Sequence, residues 1–388
     1  MEPRVIDTAG VQALVDALLA RGYTVVGPTV RSGAIVNAPI TSVDQLPRGR
    51  GDDQEAGRYR LRDRGDDALF GFASGAQSAK PVFFPTEEVL WRGRRTPDGF
   101  TVEAEDQQDD RQDDQPGADA PYALLGVRSC DLAAIGIQDT VLTGRRPDAA
   151  YAARRAAAFV VAVTCSDPGG TCFCVSTGTG PRPGPGRGAP YDLALTELLE
   201  PGAHRFLVEV TSDRGAEVLG DIGATPATAA DLEAADGVAD RAARRMGREL
   251  ETDGLKELLY AAAESPVWDD VATRCLACAN CTAVCPTCFC TDVEDVTDLT
   301  GSLAGRNRVW DSCFDADFSL LHGGRVRAST GSRYRQWMTH KLAAWIDQFG
   351  MSGCVGCGRC ITWCPAAIDI THEAAVLRRE AAEQEALP

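Results

Sequence analysis

The feature that most constrains this chain is a pair of cysteine runs in its last third. Cys275, Cys278, Cys281 and Cys285 follow a C-x2-C-x2-C-x3-C spacing, closed by Pro286. Cys354, Cys357, Cys360 and Cys364 repeat it, closed by Pro365. This is a spacing that holds [4Fe–4S] clusters. Three thiolates two residues apart can wrap one face of a cubane from a single tight loop. The fourth cysteine opens the next segment and points away, toward another cluster. The proline after it sets the chain direction and brings no amide that needs a partner. The spacing therefore predicts two [4Fe–4S] clusters wired crosswise. Cys275, Cys278, Cys281 and Cys364 hold one; Cys354, Cys357, Cys360 and Cys285 hold the other. Zinc is the competing reading of CxxC pairs, but it takes four ligands, usually from two separated pairs. Two complete runs ending in Cys-Pro fit iron–sulfur better.

Residues 286–353 separate the runs, 68 in all, which is too long for a compact ferredoxin hairpin repeat. Within them Tyr334, Trp337, Met338, Lys341, Leu342, Trp345 and Ile346 recur at helical spacing, and Gly350 can cap the end. We expect an α-helical ferredoxin-like domain over 265–370, its aromatics forming core, and a tail over 371–388. Nearby Arg325, Arg327, Arg333, Arg335 and Arg359 fit cations that raise a cluster's potential, or equally a solvated or docking face.

The region before Ser265-Pro266 reads as an α/β domain, residues 1–264. Residues 8–21 place Val11, Leu14, Val15, Leu18 and Leu19 on one helical face. Short apolar runs at Val25–Val26, Val82–Phe84, Ala123–Val127, Phe159–Val163 and Phe206–Val210 read as buried strands. Helical patterns fall between them at Leu132–Leu142 and Leu193–Leu199, and again over 228–263. Glu103–Asp119 holds eight acidic residues and one arginine, and reads as a solvated, disordered insert. Gly178–Pro190 reads as a surface loop, its prolines breaking any phosphate-binding helix start after Gly180.

The net charge of −17 argues against nucleic acid or an anionic membrane surface as partner. No apolar run is long enough to span a bilayer, and the first residues lack the pattern of a signal peptide. A cytoplasmic location is expected. Fifteen cysteines, an odd number, then point to metal or redox chemistry and not to disulfides. Four of them, Cys130, Cys165, Cys172 and Cys174, are a complete ligand set in the first domain. Cys130 follows one apolar strand and Cys165 closes another. Neighbouring strands would bring all four to one sheet edge, as a candidate third cluster. Cys288, Cys290 and Cys313 offer only three thiols and read as buried packing residues.

Several stretches resemble one family. They are Gly126–Ala134 around Cys130, Tyr151 with Arg154 and Arg155, Cys165 with Cys172 and Cys174, and Trp268–Asp270. Cys285–Cys290, Trp310–Cys313, Gly323-Gly324 and Cys354–Pro365 complete the set. Together they resemble the beta subunit of cytosolic NADP-linked [NiFe] hydrogenases, and a relative of it, the first iron–sulfur subunit of anaerobic sulfite reductase. The resemblance covers about residues 121–370. It implies a subunit without a catalytic centre that carries electrons between two sets of partners. One is a flavin subunit that binds NAD(P)H and has a further iron–sulfur centre. The other is the small and large subunits bearing the [NiFe] site. The sulfite reductase relative is the same-class alternative, and an iron–sulfur redox sensor is the alternative from another class. The sequence carries neither a convincing dinucleotide fingerprint nor a nickel-ligand pattern, so hydride and hydrogen chemistry would lie on the partners.

Overall fold

The computed structural model describes residues 2–103, 120–184, 186 and 188–386. The expected acidic insert lies outside the described residues, apart from Glu103, which ends the strand Gly99–Glu103. An eight-stranded sheet organises the N-terminal region. Its spatial order is Thr225–Pro226, Arg4–Asp7, Ala203–Val210, Leu193–Glu200, Phe159–Val163, Tyr122–Arg128, Thr24–Arg31 and Ala34–Pro39. The pairings among the strands at 24–31, 122–128, 159–163 and 193–200 are parallel, and the outer ones antiparallel.

Period-two alternation assigns the two faces. Val25, Leu125, Val161 and Leu195 share one core with Val11, Leu14, Val15 and Leu18 of the helix Thr8–Ala20. That helix starts cleanly because the Asp7 carboxylate accepts from the Gly10 amide at 2.9 Å. Val26, Leu124, Val160 and Ala194 face the opposite core, which contains Leu132 and Ile135 of the helix Ser129–Leu142. The region is therefore α/β, as the alternation of elements predicts.

Two local expectations are corrected. Leu193–Leu199 forms a central strand, because both its faces are covered and a doubly buried strand has the same apolar run as a short helix. Val82–Phe84 belongs to a helical turn, Lys80–Phe83, and its C-cap, Phe84. Pro81 suits the turn's start, and Phe83 and Phe84 plug the second core. The helical pattern over 228–263 breaks in two, Ala229–Ala243 and Leu255–Ala261.

Beyond residue 264 the helices Val267–Arg274, Asn280–Ala283, Arg359–Thr362 and Ile370–Glu385 surround a long helical segment over 330–349. That segment widens into a π turn at His340–Ala344. The cysteine spacing did not reveal a hairpin, Thr291–Thr297 and Leu303–Trp310, between the two runs. Its first strand is almost wholly exposed and mostly polar, so it has no apolar period to read. The hairpin joins Glu87–Thr96 and Gly99–Glu103 in a four-stranded sheet, which takes two strands from each side of residue 264.

Candidate metal centre

Each cysteine run closes its loop by the same backbone device. The second residue after the first cysteine and the fourth after it both have positive φ: Ala277 (49°) and Ala279 (61°) in one run, Gly356 (63°) and Gly358 (74°) in the other. Two left-handed residues around the middle cysteine curl the chain back on itself. A side chain at that conformation is strained by about 1–2 kcal/mol, which the first run accepts with alanines. The second run has no such latitude. A Cβ on Gly356 would meet the Phe173 backbone at 2.6 Å, and one on Gly358 the Thr171 carbonyl oxygen at 2.5 Å. There the loop lies backbone against backbone on residues 171–174, and the Phe173 amide donates to the Gly356 carbonyl at 2.8 Å.

Cys275, Cys278, Cys281 and Cys364 line one pocket of about 460 Å³ empty volume, with Cys360 also on its wall. The first four are the thiols grouped by the crosswise wiring. The Ala277 and Ile368 amides donate to the sulfurs of Cys275 and Cys364, each at 3.4 Å. Tyr334 and Trp337 complete the wall, and their Oη and Nε1 are buried without a partner among the described residues, as is Nε of the adjacent Arg333. Burial pushes the Cys281 thiol far up, because no water remains to solvate a thiolate.

Cys354, Cys357, Cys360 and Cys285 form the second group, each of the first three within electrostatic reach of Cys285. Burial pushes Cys354 up to about 12. Cys285 is held low instead, by a hydrogen bond with Cys288 and by the ammonium of Lys341. Lys341 comes from the π turn, and its Nζ donates to Cys285 Sγ at 3.2 Å and Thr287 Oγ1 at 2.8 Å. A π turn inside an α-helix is a common mark of a functional position. Burial pulls Lys341 down, but the thiols of Cys285, Cys288 and Cys354 outweigh it and hold it well above its usual range.

The N-terminal cysteines also gather. Cys130 opens the helix after Tyr122–Arg128 and Cys165 follows Phe159–Val163, so they occupy one edge of two neighbouring parallel strands. Cys172 lies within electrostatic reach of Cys165 and Cys174, and Cys130 of Cys174. Cys357 of the second run packs in one apolar cluster with Cys130 and Cys174. Burial pushes Cys130 and Cys172 well up. A buried ion pair bolts the two regions together here. Arg359 donates to both carboxylate oxygens of Asp131, at 2.7 and 3.0 Å, and to the carbonyls of Gly75 and Gln77.

Charge balance tests whether these groups suit an anionic cluster. Lys80, Lys341 and Arg128 are all buried, and among the described residues none has a carboxylate within ion-pair distance. Lys80 lies over the Trp310 ring at 3.5 Å, and its ammonium donates to the carbonyls of Ala283 and Cys288. Arg128 donates to the carbonyls of Thr164, Phe70 and Phe72, and its Nε has no partner among the described residues. An uncompensated buried cation costs several kcal/mol. The anionic groups within electrostatic reach are Cys285 and Cys288 for the lysines, and Cys165 together with the buried Asp52 carboxylate for Arg128. Orphan donors and unpaired cations beside buried thiols fit an anionic thiolate cluster, which would bring cysteine deprotonation with it. Among the described residues no three His, Cys, Asp or Glu side chains converge as donors to one ion, so the geometry gives single-ion zinc no support.

Sequence reasoning gave no electrostatic role to Lys341, Lys80 or Arg128. Lys341 had a readable signal, a lysine on the apolar face of a helix. Arg128 sat in the stretch before Cys130, while Lys80 had none. The arginines divide: Arg333 and Arg359 are buried beside thiols, Arg325 pairs with Asp317 on the surface, and Arg335 reaches Ala263 and Glu264. Buried Tyr334, Trp337, Met338 and Leu342 share one core, as expected.

Comparison with known proteins gives two matches. Residues 274–368 match the family model of a 4Fe-4S dicluster domain. The chain is 35% identical over 259 residues to sulfhydrogenase 2 subunit beta of Pyrococcus furiosus, covering 65% of this chain and 72% of that protein. No solved structure matches. No helix among the described residues is long and apolar enough to cross a membrane.

Proposed function

The chain belongs to the family of hydrogenase beta-type iron–sulfur subunits, and from that premise we propose that it relays electrons within a cytoplasmic [NiFe] hydrogenase complex. The relay runs between a flavin subunit that handles NAD(P)H and the small and large subunits carrying the nickel site. Two [4Fe–4S] clusters use Cys275, Cys278, Cys281 and Cys364, and Cys354, Cys357, Cys360 and Cys285. A third uses Cys130, Cys165, Cys172 and Cys174. When bound, such clusters accept and release single electrons.

The observation that carries this reading is the meeting of all three thiol groups. Cys360 is on the wall of the first pocket, and Cys357 packs against Cys130 and Cys174. A continuous path follows, from the Cys275 pocket through the second run to the sheet edge. The chain's own part is positional and electrostatic. Lys341 sets the charge beside Cys285, Tyr334 and Trp337 offer donors to the first site, and the Arg359–Asp131 pair fixes the second run on the sheet edge. Hydrogen added to the purified complex, watched by stopped-flow absorbance, tests the relay. The expected result is reduction of this chain's iron–sulfur absorbance within one turnover. Iron–sulfur absorbance that stays oxidised while NADP is reduced would refute it.

A further inference from the structure

Three cysteines remain outside the groups above: Cys288, Cys290 and Cys313. The six-residue loop from Cys285 to Cys290 carries three thiols. Cys288 lies within electrostatic reach of Cys285, and Cys313 of Cys290. The backbone holds the second pair together. Thr291 is paired with Trp310 in the hairpin, and the Asp311 amide donates to the Cys290 carbonyl at 2.9 Å. The turn after the hairpin, braced by the Phe314 amide on Ser312 Oγ at 3.0 Å, then carries Cys313 to Cys290.

Cys313 packs on the apolar core of Phe314, Tyr334 and Trp337, so packing accounts for part of its setting. Cys290 is different: it is within electrostatic reach of the Cys313 thiol and of the ammonium groups of Lys341 and Lys80. Cys313 is within electrostatic reach of Cys281, and the Cys288 amide donates to the Cys285 carbonyl at 3.4 Å, so the trio lies beside ligands assigned to both clusters of the cysteine runs. Cys290 and Cys313 are partly exposed, which leaves solvent a route for protons. A further single-ion site does not fit, since no three donors converge among the described residues.

We propose that Cys290 and Cys313 form a redox-active dithiol that exchanges two electrons with the adjacent iron–sulfur clusters. The inference rests on the cluster assignment made above. On oxidation two S–H bonds break and one S–S bond forms. Two protons leave to solvent, and two electrons pass one at a time to oxidised clusters; reduction runs the same steps backwards. Beside one-electron carriers, such a pair supplies a proton-coupled, two-electron store.

The test uses anaerobically prepared, full-length holoprotein poised at a series of potentials with soluble mediators. Each sample is alkylated with N-ethylmaleimide, digested and mapped by mass spectrometry, and its iron and cluster absorbance are read in parallel. The expected result is a linked Cys290–Cys313 peptide at oxidising potentials, replaced by two alkylated thiols at reducing ones. Coulometry should count about two more electrons per chain in wild type than in Cys313→Ser, at equal iron. Two alkylated thiols at every potential would overturn the proposal, as would equal electron counts. So would a linkage that forms only in air and that mediator-poised reduction does not open. Iron lost in Cys313→Ser at full folding would make that residue a ligand and overturn it too. The wild-type peptide map decides the matter even if the variant does not fold. Missing iron in wild type would sink the cluster assignment instead, and is read separately.

Discussion

Replacing Lys341 with methionine removes a buried ammonium and keeps a flexible apolar stem in its place. Nζ lies 3.2 Å from Cys285 Sγ. At an effective dielectric of about 20, a unit charge at that separation is worth about 5 kcal/mol. An electron added to a cluster spreads over its irons and sulfides, at roughly twice that distance, so the share felt by the redox couple is about 2–3 kcal/mol. For a one-electron couple this is on the order of 100 mV, and its sign is fixed: losing a cation makes reduction harder. The assay is a potentiometric titration of wild-type and Lys341→Met holoprotein followed by electron paramagnetic resonance. One cluster should shift downward by on the order of 100 mV, and the others by less than about a third of that. The shift should persist at high salt, because a buried charge is little screened. Equal shifts at all clusters, or no shift, would refute the placement of Lys341 against the Cys285 cluster.

Asp131→Asn leaves Arg359 buried without the carboxylate that pairs with it, and should cost about 3–5 kcal/mol in urea unfolding. The double variant Asp131→Leu/Arg359→Met should recover most of that loss, since no lone charge then remains. Gly356→Ala drives a Cβ into the Phe173 backbone at positive φ, and should lower stability by about 2–4 kcal/mol, read as a fall in Tm. Ala279→Gly, at φ 61°, should instead be neutral or stabilising by up to about 1 kcal/mol. The two substitutions probe the same loop device with opposite signs.

The gathering of the cysteines was more legible than the fold around it. Cysteine spacing is a covalent ruler, so the grouping of Cys364 with Cys275, Cys278 and Cys281 could be proposed from numbers alone, and those four line one pocket. The sheet edge at Cys130 and Cys165 was legible because each cysteine ends an apolar run. Leu193–Glu200 was misread because a strand covered on both faces loses its alternation. The hairpin at 291–310 was missed because its first strand is largely exposed and polar, and partners distant in sequence, Glu87–Thr96, stabilise its second. Lys80 and Arg128 gain meaning only from what surrounds them, and burial is a tertiary property that one sequence does not print.

The most direct test of the three-site account is iron and acid-labile sulfide, measured on fully reconstituted protein alongside Cys172→Ala/Cys174→Ala. Three cubanes predict about twelve of each per chain, falling to about eight in the variant. A wild-type value near eight would remove the N-terminal site, and a protein loaded with zinc in place of iron would contradict the account as a whole.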